Sequence, residues 1–275
     1  MLGWARRLRA RRLHRGRIPF PSWQGATAGV TALAHLGPVQ RARLRTLTAR
    51  FLREKAITAV GGLELGGCER VHIAAQICLP VLALGLDWYD DWYEVVVYPE
   101  AFVTEHEEVD EAGVVHRWPR ELAGEAWGRG PLILAWEEIV HPRPGGNVIL
   151  HECAHKLDMR NGVANGFPPL HRDMSREMWT RTFSEAFGHL RHRLAHHHAT
   201  PVDPYGAESP AEFFAVLSEA FFETPQVLVA ECPAVYEQLR RFYRQHPARR
   251  VDRPRWSGPA AEPCSPWSQR GWQPR

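Results

Sequence analysis

Apolar residues recur at helical spacing in the first third of the chain. Within residues 39–57, Leu44, Leu47 and Phe51 lie three or four positions apart, which predicts an amphipathic helix. Residues 71–86 are mostly apolar and predict a second, buried helix. The N-terminal portion of the folded region is therefore expected to be helical.

Two later stretches also predict helices, but of opposite character. Residues 173–198 form one long polar stretch, whereas residues 209–222 are strongly apolar, with small and aromatic side chains that suit packing on another core helix. A histidine cluster at the end of the polar helix is interpreted as a solvated helix end, because nothing fixes its geometry for a metal ion. Its members are His189, His192, His196, His197 and His198.

Strands are predicted where β-branched and aliphatic residues concentrate, at 93–98 and 131–136. Between them, the acidic residues 100–111 predict an exposed loop. Residues 132–134 are our candidate for an edge strand that pairs with a substrate backbone, as in β-augmentation. An interior strand is the alternative, and the sequence does not choose between the two.

The net positive charge of the chain comes from its two ends, where arginines outnumber acidic residues. Residues 1–18 carry +7 and residues 249–275 carry +4, so the net +3 leaves the body near −8. We expect a basic flexible tail at 1–19, a folded domain at 20–246 and a disordered tail rich in Pro, Arg and Trp at 247–275. An acidic body argues against specific nucleic-acid binding.

Neither a signal peptide nor a membrane span is expected. The N-terminal arginines lead into no apolar segment. The longest apolar stretch, 73–86, is interrupted by polar and helix-breaking residues and is too short to cross a bilayer. A cytoplasmic protein is the expectation.

An H-E-x-x-H pentad carries the clearest chemical signal. On an α-helix, His151 and His155 lie four residues apart on one face, so both imidazoles can bind one Zn²⁺ ion. Glu152 can then take a proton from a metal-bound water. The preceding apolar run indicates a buried helix with Asn147 as N-cap. The pattern is typical of metal-assisted peptide hydrolysis; the alternative is a buried helix that merely contains these residues.

A catalytic zinc site needs a third protein ligand. The metzincin pattern places a third histidine six residues after the second, but Asn161 occupies that position, so that class is excluded. In the gluzincin pattern the third ligand is a glutamate from a later helix. Glu177 and Glu185 lie on the predicted polar helix and Glu212 on the apolar one, where packing would hold a carboxylate more firmly.

Two acidic residues, Glu212 and Asp158, each have competing explanations. Ser209, Pro210 and Glu212 match the N-cap, N1 and N3 positions of a capping box. One carboxylate does not easily face both a cap and a metal ion, so spacing alone leaves the two roles of Glu212 open. The sequence leaves two roles open for Asp158: a hydrogen bond to a ligand imidazole, or a salt bridge with Arg160 or a nearby lysine.

Longer runs of sequence resemble the Mlc titration factor A family, which consists of bacterial zinc-dependent peptidases. The likeness covers roughly residues 20–246. The catalytic part also resembles the catalytic domain of anthrax lethal factor, in which a tyrosine precedes the ligand glutamate by the same seven residues as Tyr205 precedes Glu212. The runs that carry the family resemblance are 151–162, 203–205, 210–219, 77–82, 84–86 and 94–99.

The resemblance implies a role for each residue of the site. His151, His155 and Glu212 would bind one Zn²⁺ per chain, Glu152 would act as general base, and Tyr205 would stabilise the oxyanion. It also implies an α+β, zincin-like (gluzincin) metallopeptidase fold, mainly helical with a small mixed sheet beside the active-site helix.

The implied function is a zinc-dependent metallopeptidase that hydrolyses peptide bonds with a zinc-activated water. Its partner would be a peptide or protein substrate. The sequence leaves open whether the enzyme is an aminopeptidase or an endopeptidase. The alternative function is a regulatory binding protein that sequesters a glucose-responsive, Mlc-like transcriptional repressor.

Overall fold

The computed structural model describes residues 17–249 apart from residues 101, 110–114, 123 and 127–129, and it describes the strands between residues 102 and 126 by their backbone alone. The predicted tails at 1–19 and 247–275 thus lie almost wholly outside the described residues. The boundaries of the folded domain stay predictions.

Three helices form the N-terminal portion: α1 (Phe20–Thr27), α2 (Pro38–Glu54) and α3 (Gly67–Cys78). Both predicted helices are confirmed. Helix α2 ends just before a strand that begins at Ala56. Helix α3 ends at Cys78 rather than just before Gly85, because Pro80 has no backbone N–H with which to continue the helical hydrogen bonding.

A small mixed sheet lies beside the helix that carries the pentad, as expected. Its order is β1-β2-β6-β5, with β1, β2 and β6 parallel and β5 antiparallel to β6. Strands β3 and β4 form a separate antiparallel hairpin. The strands are β1 (Ala56–Ala59), β2 (Glu94–Tyr98), β3 (Phe102–Val109), β4 (Val115–Leu122), β5 (Gly124–Ala126) and β6 (Leu132–Ala135).

In this region one sequence prediction is wrong, and the structure decides one choice that the sequence left open. Most of the acidic segment 100–111 is strand β3 rather than a loop, since its backbone pairs with β4 from Phe102↔Leu122 to Val109↔Val115. Residues 132–134 belong to an interior strand, because β6 lies between β2 and β5. In both cases the outcome depends on a partner strand that local composition does not reveal.

The remaining helices include the two that build the site. The predicted helices over 173–198 and 209–222 are confirmed, as α6 and α7, and α7 is the more deeply buried of the two. These helices are α4 (Trp136–Val140), α5 (Val148–Asp158), α6 (Arg176–Ala195), α7 (Pro210–Glu223), α8 (Pro225–Glu231) and α9 (Pro233–Tyr243).

An aromatic cluster joins α6, α7 and α9. The Trp179 and Phe183 rings stack with centroids 4.2 Å apart, and Phe214 lies 6.0 Å from both Trp179 and Phe242. Phe214 is completely buried. Such ring pairs add to the stabilisation that burial provides. The cluster fixes one face of α7 in the core, so the opposite face is held against α5.

No single helix in the described part of the chain has the length and hydropathy of a membrane span. Helices α7 and α8 reach that threshold only as a pair, and their axes are bent by 117°. Most residues of α7 are buried inside the fold.

Candidate metal centre

Helix α5 presents the pentad from a capped, buried position. The Asn147 side chain accepts a hydrogen bond from the Leu150 backbone N–H at 3.1 Å, which confirms the predicted N-cap. Glu152 is only 4% exposed, and its Oε2 atom has no hydrogen-bond partner among the described residues. An ionisable oxygen left in this way is costly unless a ligand or water completes its hydrogen bonding.

Three electron-pair donors converge beside Glu152. His151 Nε2 lies 3.0 Å from Glu212 Oε2 and 3.1 Å from His155 Nε2, and His155 Nε2 lies 3.3 Å from the same Glu212 oxygen. Donor atoms at such distances repel one another unless a proton or a cation lies between them. The triangle therefore marks a position for positive charge.

The donor set fits zinc. Two imidazole nitrogens and one carboxylate oxygen are zinc ligands, and tetrahedral coordination at the usual bond lengths separates neighbouring donors by ~3.3 Å. The observed edges of 3.0–3.3 Å are close to that separation. Among the described residues, His151, His155 and Glu212 are the group of His, Cys, Asp or Glu side chains that could hold a metal ion, with ligand atoms within 4.8 Å of one another.

The other candidates lie elsewhere. Glu177 and Glu185 are exposed on α6, and the structure does not bring either to the pentad. The histidine cluster at the end of α6 is also exposed, in keeping with a solvated helix end.

The two roles considered for Glu212 turn out to use different atoms. Ser209 Oγ accepts a hydrogen bond from the Glu212 backbone N–H at 3.2 Å, so Ser209 caps α7. The Glu212 carboxylate points instead at His151 and His155. Only the Ser209 half of the capping box forms among the described residues, in keeping with the premise that one carboxylate does not face both a cap and a metal ion.

Glu219 is the residue that the sequence reasoning missed. Its Oε1 atom accepts a hydrogen bond from His151 Nδ1 at 2.6 Å, and its Oε2 atom accepts one from the Asn147 backbone N–H at 2.6 Å. The contact keeps the proton of a neutral His151 on Nδ1 and leaves the Nε2 lone pair for a metal. Its position, two helical turns after Glu212 on the same face of α7, is the signal that could have identified it.

The electrostatics of the centre agree with a site for a cation. Burial lowers the pKa of His151, but hydrogen bonds to Glu212 and Glu219 outweigh this and raise it well above its ordinary value. Burial raises the pKa of Glu212, but the imidazoles of His151 and His155 lower it far below its usual range. Both shifts reflect the attraction of positive charge to the same point.

Tyr205 lies beside the site, in a 3-10 turn formed by Pro204–Ala207. Asp203 Oδ1 accepts a hydrogen bond from the Tyr205 backbone N–H at 2.9 Å and thereby caps the turn. The Tyr205 ring is half-buried, with its centroid 6.0 Å from that of His151. The expected oxyanion role of Tyr205 stays a prediction.

Asp158 plays a different part from either one considered. Its Oδ2 atom accepts backbone hydrogen bonds from Asn165 at 2.8 Å and from Gly166 at 2.7 Å. Gly166 has a φ of +75°, and a Cβ atom there would collide with the carbonyl group of Pro210. Asp158 thus holds the loop after α5 against the start of α7, the helix that carries Glu212.

The chain resembles known proteins over most of its length. The chain matches the model of the family described as Glucose-regulated metallo-peptidase M90 over residues 4–244. It is 40% identical over 236 residues to the Mlc titration factor A of Salmonella arizonae, covering 83% of this chain and 92% of that protein. Proteins of the same name from Klebsiella pneumoniae and Salmonella agona are 39% and 40% identical, each over 88% of its length.

Proposed function

The chain belongs to the family of glucose-regulated metallo-peptidases M90, and we propose that it hydrolyses peptide bonds at a zinc ion held by His151, His155 and Glu212. The observation that carries the proposal is the convergence of three ligand atoms beside the buried, unpartnered carboxylate oxygen of Glu152. Two histidines on one helix and a glutamate on a later helix favour the gluzincin class.

When bound, zinc supplies a water of near-neutral pKa and polarises the scissile carbonyl. Three protein ligands leave a fourth position for water or substrate. Glu219 orients the imidazole of His151 through Nδ1, and the packed helix α7 holds the Glu212 carboxylate in place.

Glu152 acts as the base that takes a proton from the attacking water. Burial raises the pKa of its carboxyl group, which makes the carboxylate a stronger base toward that water; the protonated carboxyl group then passes the proton to the more basic leaving amine. The Tyr205 hydroxyl group donates a hydrogen bond to the oxyanion and adds no charge to the site. The position of the Tyr205 ring, with its centroid 6.0 Å from that of His151, supports this assignment.

Strand β5 supplies a surface for an extended peptide. It is one of the two edge strands of the described sheet, it runs antiparallel to β6, and it contacts α5, the helix that carries the pentad. Backbone groups on such an edge can pair with a substrate backbone. We therefore transfer to β5 the substrate-pairing role that the sequence suggested for residues 132–134.

Zinc content and peptide hydrolysis of the Glu152→Gln variant test the proposal. We expect the variant to retain one zinc per chain and to lose 10²- to 10⁴-fold in turnover, because only proton transfer is removed. Peptides with free and acetylated N-termini in the assay also distinguish aminopeptidase from endopeptidase activity. Hydrolysis that is independent of Glu152, or a wild-type protein that binds no zinc, would contradict the proposal.

A second candidate function rests on the names of the relatives, which are called Mlc titration factor A. We propose that this chain also binds a repressor of the Mlc type. A peptidase site and a binding surface do not exclude each other, so both activities can reside in one chain.

A pull-down of a purified Mlc-like repressor with the wild type and with His155→Ala tests this second function. Binding by both proteins would support a surface that is distinct from the metal site. Binding by the wild type alone would place the metal centre within the interaction. Failure of both to bind would contradict the second function and leave the first untouched.

A further inference from the structure

Asn147 is the centre of a partly buried hydrogen-bond network beside the metal site. Besides capping α5 through Oδ1, its Nδ2 group donates to Gln76 Oε1 and to Glu223 Oε1, both at 2.7 Å. Its backbone N–H donates to Glu219 Oε2. One residue therefore joins the start of the pentad helix to α3 and to two glutamates of α7.

The donor and acceptor of each hydrogen bond in the network can be assigned in turn, starting from the Ala26 carbonyl oxygen. The Ala26 carbonyl oxygen can only accept, so His72 Nδ1, 2.9 Å away, must donate. Burial lowers the pKa of His72, and Nε2 of the neutral ring accepts from Gln76 Nε2 at 2.8 Å. The Gln76 side-chain oxygen therefore faces Asn147 and accepts its hydrogen bond. The opposite orientation of the Gln76 amide is disfavoured, because it would place the oxygen against the lone pair of His72 Nε2.

The same logic continues to the metal ligand. Asn147 gives one hydrogen of its amide to Gln76 and the other to Glu223, so both of its side-chain donors are used. Glu219 receives the Asn147 backbone N–H on one oxygen and the His151 N–H on the other. The two carboxylates, one turn apart on α7, thus face hydrogen-bond donors on the α5 side.

We propose that Asn147 is a positioning residue for metal binding, which holds Glu219 and Glu223 in the arrangement that keeps His151 aligned with its Nε2 lone pair toward the metal. The inference rests on the proposed zinc site but concerns a residue that touches neither metal nor substrate. An N-cap alone requires only an oxygen acceptor, which Asp and Ser also offer. The two amide donors are what distinguish asparagine at this position.

The Asn147→Asp variant separates positioning from capping. Aspartate caps a helix as well as asparagine does, but it replaces a donor by an acceptor opposite Gln76 and Glu223. We expect zinc affinity, measured by competition with a chelator of known affinity, to fall about 10- to 100-fold. Asn161→Asp is the matched control, because it makes the same exchange at an exposed residue in the 3-10 turn that follows the pentad helix, and it should change affinity less than about twofold.

A second substitution tests the mechanism by rescue. In Asn147→Asp/Glu223→Gln the amide of residue 223 can donate to the new carboxylate, so we expect recovery of at least half the logarithmic loss in zinc affinity. A residue that only caps the helix would show no such rescue. Gln76→Met, which leaves the cap and both glutamates in place, should weaken zinc binding by up to about 10-fold and covers the case in which Asn147→Asp does not fold.

The inference would be overturned if Asn147→Asp bound zinc as tightly as the wild type does. It would also be overturned if Asn147→Asp/Glu223→Gln bound zinc no more tightly than Asn147→Asp. Thermal melts of the metal-free proteins identify any variant whose fold is lost. The proposed function is judged separately, by zinc binding and Glu152-dependent hydrolysis in the wild type, so the two ideas fail on different measurements.

Discussion

Helix α7 has two faces that differ in their chemistry. Toward α5 it presents Glu212, Glu219 and Glu223, each bonded to a histidine or an asparagine of that helix or its cap. Toward α6 and α9 it presents aromatic rings, with Phe214 completely buried among them. Burying rings stabilises the fold, whereas gathering carboxylates in a buried site costs free energy unless a cation is present.

The comparison shows how the two faces depend on each other. A metal site requires ligand atoms held within about half an ångström of their productive positions. The carboxylates alone cannot provide this, since they repel one another. The aromatic packing behind them fixes the helix and so makes the polar face possible. Substitutions on the two faces should therefore have separable effects, on stability and on metal chemistry.

The largest expected effect is on the apolar face. Phe214→Ala should lower the free energy of unfolding by about 3–5 kcal/mol, because it opens a cavity among Trp179, Phe183 and Phe242. Chemical denaturation of the metal-free protein measures this. The same substitution at Phe20, which is 53% exposed, should change stability by no more than about 0.5 kcal/mol. Equal effects at both positions would remove the distinction between the faces.

On the polar face, Tyr205→Phe should lower kcat by about 10²- to 10³-fold, the usual cost of losing one oxyanion donor. Zinc content and melting temperature should stay unchanged, because the hydroxyl group is not among the proposed ligands. Tyr93→Phe is the control, since Tyr93 is 71% exposed and should show no effect on rate. A Tyr205→Phe enzyme of normal kcat would contradict the assigned role.

A smaller effect should appear with pH, at His35, whose ring lies 6.3 Å from that of Phe222 on α7. Burial lowers the pKa of His35 from 6.5 to about 4. Because the unfolded chain binds this proton more readily, His35 should reduce stability progressively as pH falls from 6.5 to 4, by roughly 3 kcal/mol in total. His35→Leu should lack this component, so the difference in stability between wild type and variant should itself depend on pH. A constant difference would contradict the expectation.

Features encoded by neighbouring residues could be predicted from the sequence. The pentad helix, its cap at Asn147 and the apolar helix that carries Glu212 each have a local pattern, and the family resemblance brought Tyr205 and Glu212 to the same site. The roles of Glu152 and Tyr205 stay predictions until activity is measured.

Features that depend on distant partners could not be predicted. Strand β3 pairs with a segment whose position no local pattern gives, and the acidic composition of its sequence resembles that of a loop. The bond of Glu219 to His151 joins residues 68 positions apart. The sequence left the cap and ligand roles of the Glu212 carboxylate open because spacing does not show which way a side chain points, and the histidines that it faces lie about 60 positions away.

The central claim is that the Glu212 carboxylate is the third metal ligand while Ser209 alone caps α7. Zinc content of Glu212→Ala and Ser209→Ala, measured by elemental analysis on folded protein, tests it most directly. We expect Glu212→Ala to lose zinc, and Ser209→Ala to keep one zinc per chain while losing about 1 kcal/mol of stability. Full zinc content in Glu212→Ala would contradict the account.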